Sequence, residues 1–278
     1  MNRVPDDDSR PGSATSLLRT VAGLYLRDVG GWMPVSGLIA LMDDLGVPSA
    51  LSRTAVARVK QRGLLVAERT DRGAGYRLAP DAAPMLEAGD RRIFTPRRMR
   101  EGDPWCLVSF SLPEERRADR HQLRRRLRFI GCGTVSQGLW ICPAFLASEV
   151  EQIIEELNLA AFVTLFTATE ISTPGSVADC WDLDGIAGLH RSFADHLAAH
   201  DHESPFRAYV TGIDAWRPIP YLDPGLPSSL LPTHWIGDHS EQLFRQLQER
   251  LAEPARQHVI ATLGGSGAGV AAHGTMNV

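Results

Sequence analysis

The sequence predicts an α+β chain in three parts. These are an N-terminal winged helix-turn-helix, a ferredoxin-like middle domain of order βαββαβ, and a mainly helical C-terminal domain. Three observations support this. Residues 49–63, SALSRTAVARVKQRG, form a short basic helical pattern that follows two apolar helical patterns and precedes two strand patterns. Residues 105–171 alternate strand-like and helix-like apolar periods in the order strand, helix, strand, strand, helix, strand. Charge is divided along the chain: residues 13–100 hold 14 Arg or Lys against 8 Asp or Glu, a balance of +6, and residues 101–278 hold 13 against 22, a balance of −9. A basic front on an acidic remainder fits a phosphate-binding head, although the whole chain carries −4.

Residues 16–29 place Leu18, Val21, Ala22 and Tyr25 at helical spacing, and Gly30-Gly31 ends the helix. A second helix points Leu38, Ile39, Leu41, Met42 and Leu45 inward, and Gly46-Val47-Pro48 makes a tight break. The helix over residues 49–63 then stacks Leu51, Ala55 and Val59 on one apolar face. Ser49 or Ser52 can cap its first turn, and Gly63 suits its end. The opposite stripe carries Arg53, Thr54, Ala57 and Gln61, with Arg58 and Lys60 on the flanks. Arg pairs bidentately with guanine and Gln with adenine, and a small residue lets the helix approach closely. This is the pattern of a DNA-recognition helix, although in isolation an ordinary surface helix would read the same. LLVAERT and YRLAP, separated by the turn DRGAG, predict a hairpin wing. Arg69, Arg72 and Arg77 lie on or beside its tip, placed for phosphates or a minor groove. The alternative is a hairpin with solvated arginines. Residues 81–89 suggest a short helix, and an Arg-, Pro- and Gly-rich linker follows.

In the middle domain WCLVSFSL forms the first strand and Pro113 stops it. The next helix, residues 114–130, turns Leu123, Leu127 and Ile130 inward and carries seven arginines between Arg116 and Arg128. That run is a second nucleic-acid candidate or a solvated face paired with acidic residues. Two short strands around Gln137-Gly138, a helix over 146–159 and a strand over 161–171 complete the unit. Such a sheet commonly pairs with a copy of itself, which predicts a homodimer. Cys106, Cys132, Cys142 and Cys180 lack metal or redox spacing and read as reduced thiols of a cytoplasmic protein.

The last third opens on a helix, residues 180–200, with Trp181, Ile186, Phe193 and Leu197 broadly on one side. His196, His200 and His202 lie close together, with His190 earlier. His at i and i+4 can bind a metal, but no paired Cys or HExxH accompanies them, so no metal or cofactor is expected. Residues 205–237 are rich in Pro, aromatics and turns. There Arg207, Trp216, Arg217, Tyr221, His234 and Trp235 could line a pocket for an aromatic or CoA-bearing effector, or could pack the C-terminal domain against the middle one. Residues 239–262 predict one or two helices, interrupted near Pro254. The expected limits are a disordered lead over 1–15, the winged helix over 16–92, the linker over 93–103, the middle domain over 104–174, the C-terminal effector domain over 175–263 and a flexible tail over 264–278.

No apolar run is long enough to span a bilayer, and the polar, acidic N-terminus is not a signal peptide. No membrane association is expected. There is no P-loop, dinucleotide fingerprint, nucleophile elbow or paired metal motif, so the reading is of a regulator and not an enzyme. Two alternatives use the middle domain. A metal-dependent nuclease of this topology would need a carboxylate near the end of the first strand, where the chain has Ser109-Phe110-Ser111. An RNA-binding protein using the arginine-rich helix would lack an aromatic stacking platform.

The segments SRTAVARVKQRGLL, YRLAP, GDRRIF, WCLVSFSLPEERR, LRFIGCGTVSQGLWICP and DPGLPSSLLPTHWIGDHSEQLF, in that order, resemble the PaaX family of bacterial transcriptional regulators, named for the repressor of phenylacetate degradation genes. The resemblance covers roughly residues 16–262. It implies the three-part architecture, a homodimer on a palindromic double-stranded DNA operator, and release by an aryl-acyl-CoA effector such as phenylacetyl-CoA. One departure is visible: Gly131-Cys132-Gly133 stands where Gly-Phe-Gly is expected. On this reading Arg53, Thr54 and Gln61 read bases, Arg58, Lys60, Arg69 and Arg72 hold the backbone, and Ser49, Ser52 and Arg77 complete the DNA-binding set.

Overall fold

The computed structural model describes residues 10–200 and 203–268. Residues 1–9 of the lead expected over 1–15, and the tail beyond residue 268, lie outside them, whereas the first helix already begins at Ala14, inside that expected lead. The described residues form two compact units. A head unit collects residues up to 89 with 193–215 and 241 onward, and a body unit collects 90–192 with 216–240.

The head unit begins with α1 (Ala14–Tyr25), whose first turn is capped by the Ser13 hydroxyl accepting from the Ser16 amide. Leu18, Val21, Ala22 and Tyr25 are buried, as their spacing predicts. A three-residue strand, β1 (Trp32–Pro34), precedes α2 (Val35–Asp44) and α3 (Ser49–Gln61). Strands β2 (Leu65–Thr70) and β3 (Gly73–Leu78) follow, then α4 (Ala82–Phe94). The sheet has three strands in the order β1-β3-β2, all antiparallel, and not the expected two. Three residues ending in proline show no strand period, so β1 had no signature of its own.

Gly75 on β3 is where β1 crosses closest. A Cβ there would lie 2.4 Å from the Trp32 ring and 2.5 Å from the Met33 carbonyl oxygen. Gly75→Val is expected to destabilise the head by about 1–3 kcal/mol, as overpacking does. A melting curve unchanged from wild type would show that β1 moves aside at no cost.

Parts of three C-terminal helices belong to the head unit: α7 (Leu183–Ala199), α8 (Pro205–Trp216) and α10 (Ile236–Ala268). Helix α8 (Pro205–Trp216) occupies a stretch read from sequence as turns, its Pro205 opening the helix where a missing N–H costs little. Its Asp214 is 1% exposed and accepts from the Ser16 hydroxyl at 2.6 Å, the Thr20 hydroxyl at 2.8 Å and the Gly12 amide at 2.7 Å. Helix α10 (Ile236–Ala268) runs unbroken through Pro254, against the expected interruption, and extends beyond residue 263. Its His258 lies 2.8 Å from the Asp44 carboxylate and stacks on Phe206.

The body unit is built on β4 (Trp105–Phe110), α5 (Arg117–Phe129), β5 (Gly133–Ser136), β6 (Leu139–Pro143), α6 (Ala147–Glu156) and β7 (Val163–Ala168). The sheet order is β5-β6-β4-β7, entirely antiparallel. Val108, Leu123, Leu127, Trp140 and Val150 share one core. Trp105 and Ile141, with Met99 and Leu226, make a second. Helix α7 (Leu183–Ala199) and the short α9 (Ile219–Leu222) complete the described elements. Cys106, Cys132, Cys142 and Cys180 are free thiols. The hydrogen bond to Cys142 and then burial push the Cys106 thiol far above its ordinary range. Such a thiol is a poor nucleophile at neutral pH.

In Gly131-Cys132-Gly133 the two glycines, which the expected pattern shares, have a visible basis. Gly131 has φ +90°, the Trp181 indole donates to its carbonyl at 2.8 Å, and a Cβ on Gly133 would meet Trp181 and Cys180 at 2.7–2.9 Å. The backbone needs glycine on both sides, while Cys132 is buried among core residues.

Candidate nucleic-acid interface

Helices α2 and α3 are joined by four residues and bend by 118°. The turn closes on Gly46 at φ +77°: the Gly46 amide donates to Asp43 and the Val47 amide to Met42. This pair of bonds satisfies the last carbonyls of α2 and fixes where α3 begins. The far end of α3 closes identically, with Gly63 at φ +76° donating to Lys60 and the Leu64 amide to Val59. Both ends of α3 are therefore held by backbone bonds.

The phase of α3 differs from the expected one. Ser52, Ala55, Val56 and Val59 are buried, whereas Leu51 is 54% exposed. Steps of four residues overshoot the 3.6-residue turn, so Leu51 drifts off the face that Ala55 and Val59 share. Ser52 is corrected in both proposed roles. It is fully buried, its hydroxyl donates to the Val47 and Pro48 carbonyls, and it neither caps the helix nor reaches its outer surface. Ser49 is exposed, but the cap position is Pro48 and no side chain caps the helix.

Arg53, Thr54, Arg58, Lys60 and Gln61 are all exposed on α3. The Thr54 hydroxyl donates back to Ala50 at 3.1 Å, leaving its oxygen as an acceptor. Arg69 and Arg72 are exposed on the hairpin, and the Arg72 guanidinium lies over the Trp32 ring at 4.6 Å. Arg77 is held within the sheet by Glu68 at 3.4 Å and the Leu78 carbonyl, which sets it apart from the other two. Sequence reasoning missed Leu51, a large apolar side chain beside Arg53 and Thr54 on the exposed side.

The six expected effector residues are divided between the two units. Arg207 lies in the head unit, where it donates to the Leu45 carbonyl at 3.2 Å, while the other five lie in the body unit. Trp216 is 1% exposed, and its indole donates to Ile93 at 3.0 Å. Trp235 is buried edge-on against His190, and Tyr221 stacks on Phe129 beneath Arg92. Arg217 is half-buried, and only His234 is exposed. The rings of Trp216, Tyr221 and Trp235 are therefore engaged in packing. His190 bridges Ser240 at 2.6 Å and Asp223 at 3.0 Å, all in the body unit. Ser240 is fully buried, so that arrangement is structural.

In the head unit His196 and His200 stack at 4.2 Å, and His200 donates to the His196 carbonyl. His202 lies outside the described residues. No group of three or more His, Cys, Asp or Glu able to hold a metal occurs among the described residues. Burial, then the neighbouring His200, hold His196 below its ordinary value near 6.5, with Glu203 and Asp214 opposing. A histidine kept neutral by folding contributes stability above the ordinary value and loses it as pH falls. The head is therefore expected to melt earlier as pH drops from about 8 to about 5. His196→Gln should flatten that slope, and a slope equal to wild type would assign it to other groups.

Three family models match the chain in order. They are described as PaaX-like protein over residues 13–82, PaaX protein central Cas2-like domain over residues 99–178, and PaaX-like protein C-terminal domain over residues 181–261. The chain belongs to the PaaX family. Among members of that family, the Transcriptional repressor PaaX of Escherichia coli (strain K12) is 26% identical over 263 residues, covering 88% of this chain and 82% of that protein. The structure of Uncharacterized protein Rv0674 from Mycobacterium tuberculosis matches with a TM-score of 0.63 at 24% identity, covering 89% of this chain and all of that one. That likeness concerns the fold alone. Under the PaaX models the body-unit sheet is Cas2-like and the C-terminal region is mainly helical. No single helix among the described residues is long and apolar enough to cross a membrane.

Proposed function

We propose that this chain is a DNA-binding transcriptional repressor. It acts as a regulator and not as an enzyme, in keeping with its family and its repressor relative. The head would be a winged helix-turn-helix. The observation that carries this is the exposed row Arg53, Thr54 and Gln61 on a helix set at 118° to its predecessor across a four-residue turn. That angle falls in the range of about 90–120° used by helix pairs that enter a major groove. Arg53 and Gln61 would read base edges, Leu51 would meet a thymine methyl, and Arg58, Lys60, Arg69 and Arg72 would hold phosphates.

The body would be a ferredoxin-like dimerisation domain. Strand β7 is at the sheet edge, paired only with β4, and its Phe166 is 52% exposed. A second copy adding there would place two heads on half-sites about 34 Å apart, or a multiple of that. An aryl-acyl-CoA or related aromatic effector would release the operator by binding the free and DNA-bound states unequally.

The test is to sequence DNA that co-purifies with the protein and then measure gel shifts on the recovered site. A palindromic site bound far more tightly than random duplex is expected. Equal binding of both would remove the repressor reading. A panel of aryl-CoA thioesters and free acids in the same assay tests the effector separately.

A further inference from the structure

The operator reading leaves one basic concavity unused. It lies on the exposed flank of α5 and encloses about 600 Å³ between Glu114, Arg117, Arg120, His121, Arg124 and Gln137. Arg117, Arg120 or His121, and Arg124 recur at three- and four-residue steps, so they share one helix face.

Two of these guanidinium groups are fixed by the protein. Arg120 donates to Glu114 at 2.7 Å and to the Leu112 carbonyl at 3.2 Å. Arg124 donates to the Gln137 carbonyl at 2.6 Å and lies over the Phe110 ring. The other two basic side chains of the cleft, Arg117 and His121, are exposed.

The arrangement runs against local electrostatics. Helix α5 starts at Arg117, and no side chain caps that end. The Arg116 and Arg117 amides donate to the Pro113 and Glu114 carbonyls, but the helix start still carries the positive end of the dipole, so cations there are disfavoured. Like charges three and four residues apart add further repulsion. Glu114 is the one carboxylate on the wall, against three arginines. Glu114 offsets Arg120 and Asp119 offsets Arg116, but Arg117 and Arg124 have no ion pair among the described residues, so a bound anion would balance the charge that remains.

The volume is in the range of small-molecule sites and exceeds what a single phosphate fills. The lining is polar, which suits the phosphate-bearing part of a ligand and not an aromatic ring. The Glu114 carboxylate on the wall disfavours a continuous nucleic-acid backbone, while a compact anion can sit between the arginines.

We propose that the cleft over α5 binds a small phosphorylated molecule carrying a diphosphate group. Arg120 and Arg124 are its fixed anchors, and Arg117 and His121 close on it. This inference is independent of the operator reading and of what the ligand triggers.

The test is calorimetric titration of the full chain with inorganic pyrophosphate and with ADP at physiological ionic strength. Both are expected to bind, and the double variant Arg117→Ala/His121→Ala is expected to weaken both about tenfold or more. Because both side chains are exposed, an unchanged melting temperature serves as the folding control, with single variants as a second arm. No binding of either probe, or equal affinity in wild type and variant, would overturn the proposal. So would loss of operator affinity in the variant without any pyrophosphate binding by wild type, which would make the cleft a DNA-backbone contact. Operator binding measured without added ligand should be the same in both proteins, and its absence from both would count against the repressor reading alone.

Discussion

Asp214→Ala is expected to destabilise the head unit by about 3–5 kcal/mol, the cost typical of removing one partner from a buried charged network. Asp214 is 1% exposed and accepts three hydrogen bonds, from Ser16, Thr20 and Gly12. Ser16 and Thr20 are themselves buried on α1. Truncating the carboxylate removes the acceptor from both hydroxyls and leaves a small void. Each orphaned buried donor costs about 1–3 kcal/mol. In thermal melts the shift should be on the order of 6–20 °C, since about 2–4 °C accompanies each kcal/mol in a chain of this size. Asp214→Asn should fall between the two, because one acceptor oxygen survives. If the alanine variant melts within about a degree of wild type, the three bonds are incidental to stability.

Arg53→Ala is expected to cost about 1–3 kcal/mol of discrimination between operator and random DNA, or roughly 5- to 150-fold. Arg53 is exposed in the first half of α3, the end of a recognition helix that meets base edges. Its guanidinium has no ion pair among the described residues, so it is available for a bidentate contact with guanine. The comparison needs two duplexes and two salt concentrations. A base contact weakens the operator complex selectively and leaves the salt slope nearly unchanged. Equal loss on both duplexes, with a shallower slope, would demote Arg53 to a phosphate contact.

The sequence made the helices of the head legible because their apolar residues recur at helical spacing and glycine ends each one. Gly46 and Gly63 were readable as ends, and both close with paired backbone bonds at positive φ. The inner face of α3 was harder. Ser52 is buried through hydroxyl bonds to Val47 and Pro48 carbonyls, so a polar letter stood at a core position while Leu51 stood outside. Strand β1 was illegible because its partner supplies the order that its own three residues lack. The order of elements in the body followed directly from alternating apolar periods.

The effector residues were hard to read for a different reason. Proline, tryptophan and arginine between residues 205 and 237 have the composition of a pocket wall and equally that of a core. Only coordinates show that Trp216 donates to Ile93 and that Tyr221 is stacked on Phe129. For the arginine-rich helix the sequence leaves a nucleic-acid face and a solvated, acid-paired face both open. Arg116, Arg120 and Arg126 pair with Asp119, Glu114 and Glu156, while Arg117 and Arg125 point outward.

Because α8 and α10 complete the head, its two sequence-distant halves have to be inherited together. A graft that carried only the first ninety or so residues onto another regulator would bring Ser16 and Thr20 without Asp214, and Asp44 without His258. Swaps of DNA specificity between paralogues should therefore succeed when they exchange the outward side chains of α3 alone. They should fail when they exchange the front of the chain as a block.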